Sequence, residues 1–398
     1  MASFISVGVL FRRNAPDAGK VWCSGEISKR KGAKKMTLYN EIMTYLDGIT
    51  PADSAAVEKA IQRNNDLLKI PGSLGRIEDI AIKLAGVTGK IVNDLSKKCI
   101  IIMSADNGVV AKGVSSAPQS VTVTMTECFT KKVTGVGVFS RVSNSDLFVY
   151  DIGINGDIQD PMVINKKVRY GTADFSEGPA MTREECYQAV MTGIEAVKDA
   201  VDKGYKVIGT GEMGIGNTSS TTLVICALTG ANIDDCVGKG TGMVDDESYI
   251  NKVNVLKQAM EVNKPDVNDV FDVVSKVGGL DIAGLLGVYI GCAYYKVPDV
   301  IDGYISTAAA LCAYVLNKNT FDYMFESNTT EEIGYKAVNK VMPINPMFDM
   351  HMRLGEGSGC PFTFFAMDAA NSMMEHMYTF AQSSISSEYT DKLDDLQF

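Results

Sequence analysis

Histidine and tryptophan are nearly absent: the 398-residue chain has two histidines, His351 and His376, and a single tryptophan. Its nine cysteines are scattered and form no C-x-x-C pair. A zinc centre and a disulfide framework are therefore not expected, and the thiols fit a reducing cytoplasm. No metal or other cofactor is expected. Long apolar runs are missing too. The most apolar helical stretch, Ile282 to Tyr295, follows Asp281 directly and is too short to span a bilayer, so it reads as a buried helix. Basic charge is in deficit, with 38 Lys and Arg against 48 Asp and Glu and a net charge of −10. That balance argues against nucleic acid or any other polyanion as a partner, but leaves room for a local basic site for one phosphate. What is present is a chain 46% hydrophobic with mean hydropathy near zero, long enough for one large domain and a smaller one.

Residues 1–35 differ from the rest. MASFISVGVLFRR is apolar and then basic, and Lys29, Arg30, Lys31, Lys34 and Lys35 cluster before Met36. An organelle-type leader, a basic tail and a start placed ahead of Met36 all fit, and each puts the segment outside the fold. From Thr37 to Leu84 the pattern is helical, with Leu38, Ile42 and Leu46 on one stripe and Ala55, Val57, Ile61 and Leu67 on the next. Pro71, Gly72 and Gly75 interrupt it before a helix over 77–88. No strand lies among these helices, so they must pack on something later in the chain.

Strands then alternate with helices. KCIIIMSAD at 98–106, DLFVYDIGI at 146–154, the run beginning at Val207, and VPDVIDGYIS at 297–306 are apolar runs, and all but the third close on an aspartate. Helical stretches such as 182–203 and 281–295 separate them. This is the alternation of a doubly wound α/β parallel sheet, whose ligands collect outside the carboxyl ends of the strands.

The stretch 206–222, KVIGTGEMGIGNTSSTT, reads as a buried strand, a turn through Gly209, Gly211, Gly214 and Gly216, and a helix start at Asn217, Thr218, Ser219 and Ser220. Glycines let backbone N–H groups approach an anion and the helix adds its positive end, so it could cradle phosphate. It could equally be a tight connection with no ligand. Glu212 inside it suits ribose hydroxyls or positive charge better than phosphate. GTGEMG also matches the dinucleotide pattern G-x-G-x-x-G, which would invite an oxidoreductase reading, but no clear acidic partner follows. VGKGTGMVDDE at 237–247 is a second glycine turn, containing Gly240 and followed by Lys252. RLGEGSG at 353–359 sets Glu356 between glycines just before a helix over 361–380. A helix cap is the plain alternative there, yet Ser358 alone would serve as one.

Together with PGSLGRIEDIA at 71–81, ADNGVVAKGVSSAPQSVT at 105–122, YDIGI at 150–154, GTADFSEGPAMTREE at 171–185, GGLDIAGLLG at 278–287 and DGYISTAAAL at 302–311, these motifs resemble the nicotinate-nucleotide:dimethylbenzimidazole phosphoribosyltransferase family, in that family's order, from about Thr37 to the last helix. The resemblance implies a Rossmann-like doubly wound parallel sheet with a small helical domain formed from both chain ends. Residues 36–90 and 346–398 would build the small domain and 91–345 the large one. It implies transfer of phosphoribose from nicotinate mononucleotide to an aromatic base with inversion, by a homodimer or a heterodimer with a homologous chain.

Carried onto this sequence, the family's general base is Glu356, with Glu212 facing the ribose. Gly214, Gly216, Asn217, Thr218, Ser219, Ser220, Gly240, Lys252 and Thr330 are the expected phosphate and ribose residues, and Gln119, Met213 and Leu354 the expected base-binding ones. The sequence departs from the family where a frequent His is Asn107, where a Glu is Asp281, and where the S-H-x-S-x-E and G-H run reads Ser327, Asn328, Thr329, Thr330, Glu331, Glu332 and then Gly334, Tyr335. Some relatives couple phenol or p-cresol and work as two unlike chains. Carrying Glu356, this chain would be the catalytic member of such a pair.

Overall fold

In chain order, a computed structural model, which describes residues 37–238 and 245–385, begins with helices α1 (Leu38–Gly48), α2 (Ser54–Asp66) and α3 (Arg76–Thr88). Strand β1 (Lys98–Ala105), helices α4 (Ser120–Thr130) and α5 (Gly135–Val142), strands β2 (Ser145–Gly153) and β3 (Ile164–Asn165) and helix α6 (Arg183–Asp202) follow. Next come β4 (Val207–Met213), α7 (Asn217–Thr229), α8 (Asp246–Asn263), α9 (Val270–Val277), α10 (Leu280–Tyr295), β5 (Asp299–Ile301) and α11 (Tyr304–Leu316). The last elements are β6 (Met324–Glu326), the single turn α12 (Tyr335–Val338) and α13 (Cys360–His376). The expectations for residues 1–35 and for Gly240 lie outside the described residues.

The strands form one parallel sheet in the order β3-β2-β1-β4-β5-β6. All eight residues of β1 are buried, as its run of isoleucines requires for a central strand covered on both faces. Alternation along the strands assigns the two faces. Thr210 meets Tyr289 of α10 through their hydroxyls at 2.9 Å, whereas Gly209 abuts Cys360 of α13. The chain reverses direction across the sheet between β1 and β4, so a crevice opens beyond Ala105 and Met213.

Helix α10 is buried from Leu280 to Ala293, as its composition predicts. It crosses α6 at glycines: a Cβ on Gly287 would stand 1.9 Å from the Val190 carbonyl oxygen, and one on Gly193 2.0 Å from that of Gly284. Gly287→Ala should therefore force the two helices apart and cost about 1–3 kcal/mol or more, read from the urea midpoint. Helix α6 starts at a reciprocal cap, in which Thr182 accepts from the Glu185 amide and Glu185 accepts from that of Thr182.

Helices from the two ends of the chain pack together. Arg63 Nε donates to the Met374 carbonyl at 2.9 Å, and Asn93 and Asn371 exchange side-chain and backbone hydrogen bonds. The expected stripe on α2 is corrected. Ala56, Ala60 and Leu67 are buried, while Ala55 is exposed and Ile61 is 42% exposed, because α2 meets α3 through small side chains, with Val57 close against Gly86. The last helix ends at His376, short of the expected 380.

Candidate active site

Beyond the carboxyl ends of β1 and β4 lies a cavity of about 300 Å³. One wall is the run Glu212 to Thr218, a second is the loop Met352 to Gly359, and Asp302 and Gly303 close the end of β5. Val114, Ala117, Val121 and Met125 supply an apolar side, and Lys252, Asn328, Thr330 and Glu332 a polar one.

The glycines expected in the turn after Val207 are placed differently. Gly209 and Gly211 lie inside β4, paired with β1, and the turn begins only after Met213. A Cβ on Gly211 would stand 2.5 Å from the Glu356 carbonyl oxygen, and one on Gly209 2.8 Å from Cys360. These glycines admit the Glu356 loop against the strand. They form no strand-to-helix turn, and this removes the dinucleotide reading of GTGEMG.

The loop itself is wound left-handed. Gly355, Glu356 and Gly357 have φ of 81°, 65° and 95°. A non-glycine residue so held costs on the order of 1–3 kcal/mol. The neighbouring glycines make the turn sterically accessible, and the turn presents the Glu356 carboxylate to the cavity. Glu356 is 5% exposed and its Oε2 has no hydrogen-bond partner. Burial pushes its pKa up to about 7, against the Val136 and Gly135 amides at the start of α5 and with the help of the Glu212 charge.

Three more buried acids converge here. Glu212 accepts from the Glu356 amide at 3.3 Å and from the Asn217 side-chain amide. The same Asn217 Nδ2 donates to Asp281 Oδ2 at 3.1 Å, so one amide ties two carboxylates. Burial raises the pKa of Glu212, and burial and the Glu212 charge push Asp281 up to about 7. Asp302 is pushed up to about 8 by burial, against the Gly359 and Gly357 amides that bond to it. A compact group of acids held this way favours a positive charge in the cavity.

The cationic end is Lys252, whose Nζ donates to Thr218 Oγ1 at 3.2 Å and to the Gly238 carbonyl at 3.1 Å. Burial lowers its pKa, and Glu332 opposes that shift. Thr218 lies in the first turn of α7, so an anion here also meets the positive end of that helix.

A phosphoribosyltransferase family matches residues 49–385. The chain is 47% identical over 337 residues to the nicotinate-nucleotide–dimethylbenzimidazole phosphoribosyltransferase of Clostridium tetani, spanning 85% of this chain and 93% of that one. The chain belongs to this family. The enzyme of the same name from Clostridium perfringens is 44% identical over 90% of this chain and 98% of its own. The crystal structure of the Thermus thermophilus enzyme of that name superposes with a TM-score of 0.79 at 31% identity, over 84% of this chain and 99% of that one.

For this phosphoribosyltransferase, the structure gathers Glu212, Met213, Gly214, Gly216, Asn217, Thr218, Lys252, Thr330, Leu354 and Glu356 around one cavity. Four of the expected residues are buried, already engaged or outside the cavity lining. Ser219 and Ser220 are fully buried within α7: the Ser219 hydroxyl faces no partner, and the Ser220 hydroxyl lies near Asn107 Oδ1 and the Asn217 carbonyl. Asn217 lines the cavity, but its amide is engaged by Glu212 and Asp281 and is not free for phosphate. Gln119 does not line the cavity; its Oε1 accepts from Asn155 Nδ2 at 2.9 Å. Asp281, Asp302 and Glu332 were not expected as site residues. For Asp302 the signal was present, a carboxylate closing an apolar run just before Gly303.

Proposed function

We propose that the chain transfers the phosphoribosyl group of nicotinate mononucleotide to dimethylbenzimidazole or a similar aromatic base, giving an α-riboside phosphate and nicotinate for cobamide biosynthesis. The observation that carries this reading is Glu356: a buried carboxylate, one oxygen of which has no hydrogen-bond partner, in the wall of a cavity that the Lys252–Thr218 pair also lines.

In this reading Lys252, Thr218 and Thr330 take the 5′-phosphate, with the start of α7 behind them. Glu212 faces the ribose, and Asn217 and Asp281 hold it there. The acceptor ring lies between Leu354, Met213 and the apolar side formed by Val121 and Met125. Its ring nitrogen attacks C1′ from the face opposite nicotinate, forming the new C1′–N bond as the old one breaks and inverting the centre. The electrons of the breaking bond neutralise the pyridinium, which departs without an acid. The buried carboxylates offset the positive charge that develops on the ribosyl carbon. Glu356 takes the acceptor's proton. The transferase would work as a dimer, with a second copy or a homologous chain, in a reducing cytoplasm that the eight free cysteines among the described residues suit.

The test is product analysis by mass spectrometry, with the purified chain, nicotinate mononucleotide, and dimethylbenzimidazole, benzimidazole, adenine, phenol and p-cresol in competition. The expected product is an α-riboside phosphate of a benzimidazole. A phenolic product from the chain combined with a homologous partner would reassign the acceptor, and no product in either setting would sink the transferase reading.

A further inference from the structure

The loop that carries Glu356 turns its amides towards the protein. Gly357 N donates to Asp302 Oδ2 at 2.9 Å and Gly359 N to Asp302 Oδ1 at 2.6 Å. The Asp302 carboxyl group is thus seated in a concavity of backbone N–H groups, the arrangement that elsewhere binds phosphate. Both of its oxygens are engaged, and the residue is 6% exposed.

Asp302 is itself pinned. It follows β5 directly, and its carbonyl accepts from Ser327 Oγ, just past β6, at 2.7 Å. A Cβ on Gly359 would stand 2.6 Å from Ser327 Oγ and 2.9 Å from Asp302 Oδ1. The loop is therefore clamped between the end of β5 and Gly211 of β4, with the left-handed Glu356 at its apex.

Taking the transferase reading as given, we propose that Asp302 is a positioning residue for the general base. By accepting two loop amides with its two oxygens, it holds residues 355–359 in the one turn that aims Glu356 at the acceptor. An asparagine has the same shape but only one acceptor oxygen. Its NH₂ group would meet a backbone N–H head on, which releases one side of the turn. The phosphate end stands apart from this clamp, since Lys252 bonds to Thr218 and Gly238.

Steady-state kinetics of Asp302→Asn and Ser327→Ala test the proposal, alongside calorimetric binding of nicotinate mononucleotide. Asp302→Asn should lower kcat by about 10²-fold, the scale of a misplaced catalytic group. Ser327→Ala keeps the carboxylate and loosens only its anchor, so it should lose kcat several-fold. In both, donor affinity should stay within about threefold of the parent protein. A general loss of structure would instead weaken donor binding in step with kcat, and that result, or an unchanged kcat in Asp302→Asn, overturns the proposal. Should Asp302→Asn fail to fold, Ser327→Ala decides alone, and a parental kcat there overturns it. Failure of the transferase reading is a separate result, visible as absence of riboside phosphate from the parent protein.

Discussion

Glu356→Ala is expected to lower kcat by about 10²–10⁴-fold, the usual worth of a general base, while nicotinate mononucleotide binds almost as before. The split follows from the geometry. Glu356 contributes its backbone amide to Glu212, its carboxylate lies in the cavity wall near the start of α5, and neither contact reaches Lys252 or Thr218. The carboxylate must be ionised to accept a proton, and burial holds its pKa at about 7. Activity of the parent protein should then rise with pH through neutrality, as kcat/KM tracks deprotonation in the free enzyme. In the variant the part of this acid limb that belongs to Glu356 should vanish, leaving a small residual rate with a shallower pH dependence. Near-parental kcat in the alanine variant removes Glu356 as the base.

The same shift acts on stability, with a definite sign. A folded-state pKa raised above the ordinary carboxylate value means that the folded protein holds its proton more tightly than the unfolded chain. The stabilisation is complete below the unfolded pKa and disappears as pH rises through about 7, where Glu356 ionises in a site that does not welcome the charge. Glu356→Gln should therefore melt higher than the parent above neutral pH and close to it at pH 5, read from melting curves at both.

Much of this was legible in the sequence, for physical reasons that also explain the rest. Strand β1 and helix α10 announce themselves because burial on all sides demands an unbroken apolar run. Strands β3 and β6, of two and three residues, are too short to carry a pattern, and their pairing is decided by the neighbours they lie against. The glycines of GTGEMG were visible, but their purpose was not. Gly209 and Gly211 serve a loop nearly 150 residues further on, as the Cys360–Thr210 contact with its sequence separation of 150 records. Local spacing cannot distinguish a glycine that turns the chain from one that makes room for a distant segment. The serines after Gly216 show the same limit. A helix start predicts available hydroxyls, yet the rotation of α7 aims Ser219 and Ser220 into the protein and leaves Thr218 at the cavity. Glu356 stood out in the sequence as a carboxylate between two glycines, and the structure places those glycines in the left-handed turn that carries it.

Lys252→Met should produce the other large effect, and at the opposite end of the cavity. A charge-assisted hydrogen bond to phosphate contributes about 1.5–3 kcal/mol, which corresponds to a rise of roughly 10–10²-fold in the donor KM. Methionine keeps the length and burial of the stem, so kcat at saturating donor should fall far less, the reverse of the Glu356 result. Stability should not suffer in proportion, because removing a lysine that burial already disfavours in its charged form also removes a desolvation cost. Glu332 sharpens the pH behaviour. Its own pKa is raised by burial and lowered by Lys252, so acidification first discharges a carboxylate that repels the phosphate. Alkali in turn neutralises Lys252 earlier than a solvated lysine. Both titrations weaken donor binding as pH rises, while Glu356 gains activity in the same direction, so kcat/KM should pass through a maximum above neutrality. Lys252→Met should lose the part of the alkaline fall that comes from neutralising Lys252, keep the part that comes from Glu332, and keep the acid rise. If the donor KM in Lys252→Met stays within about threefold of the parent value, the phosphate lies elsewhere and the assignment of this end of the cavity is wrong.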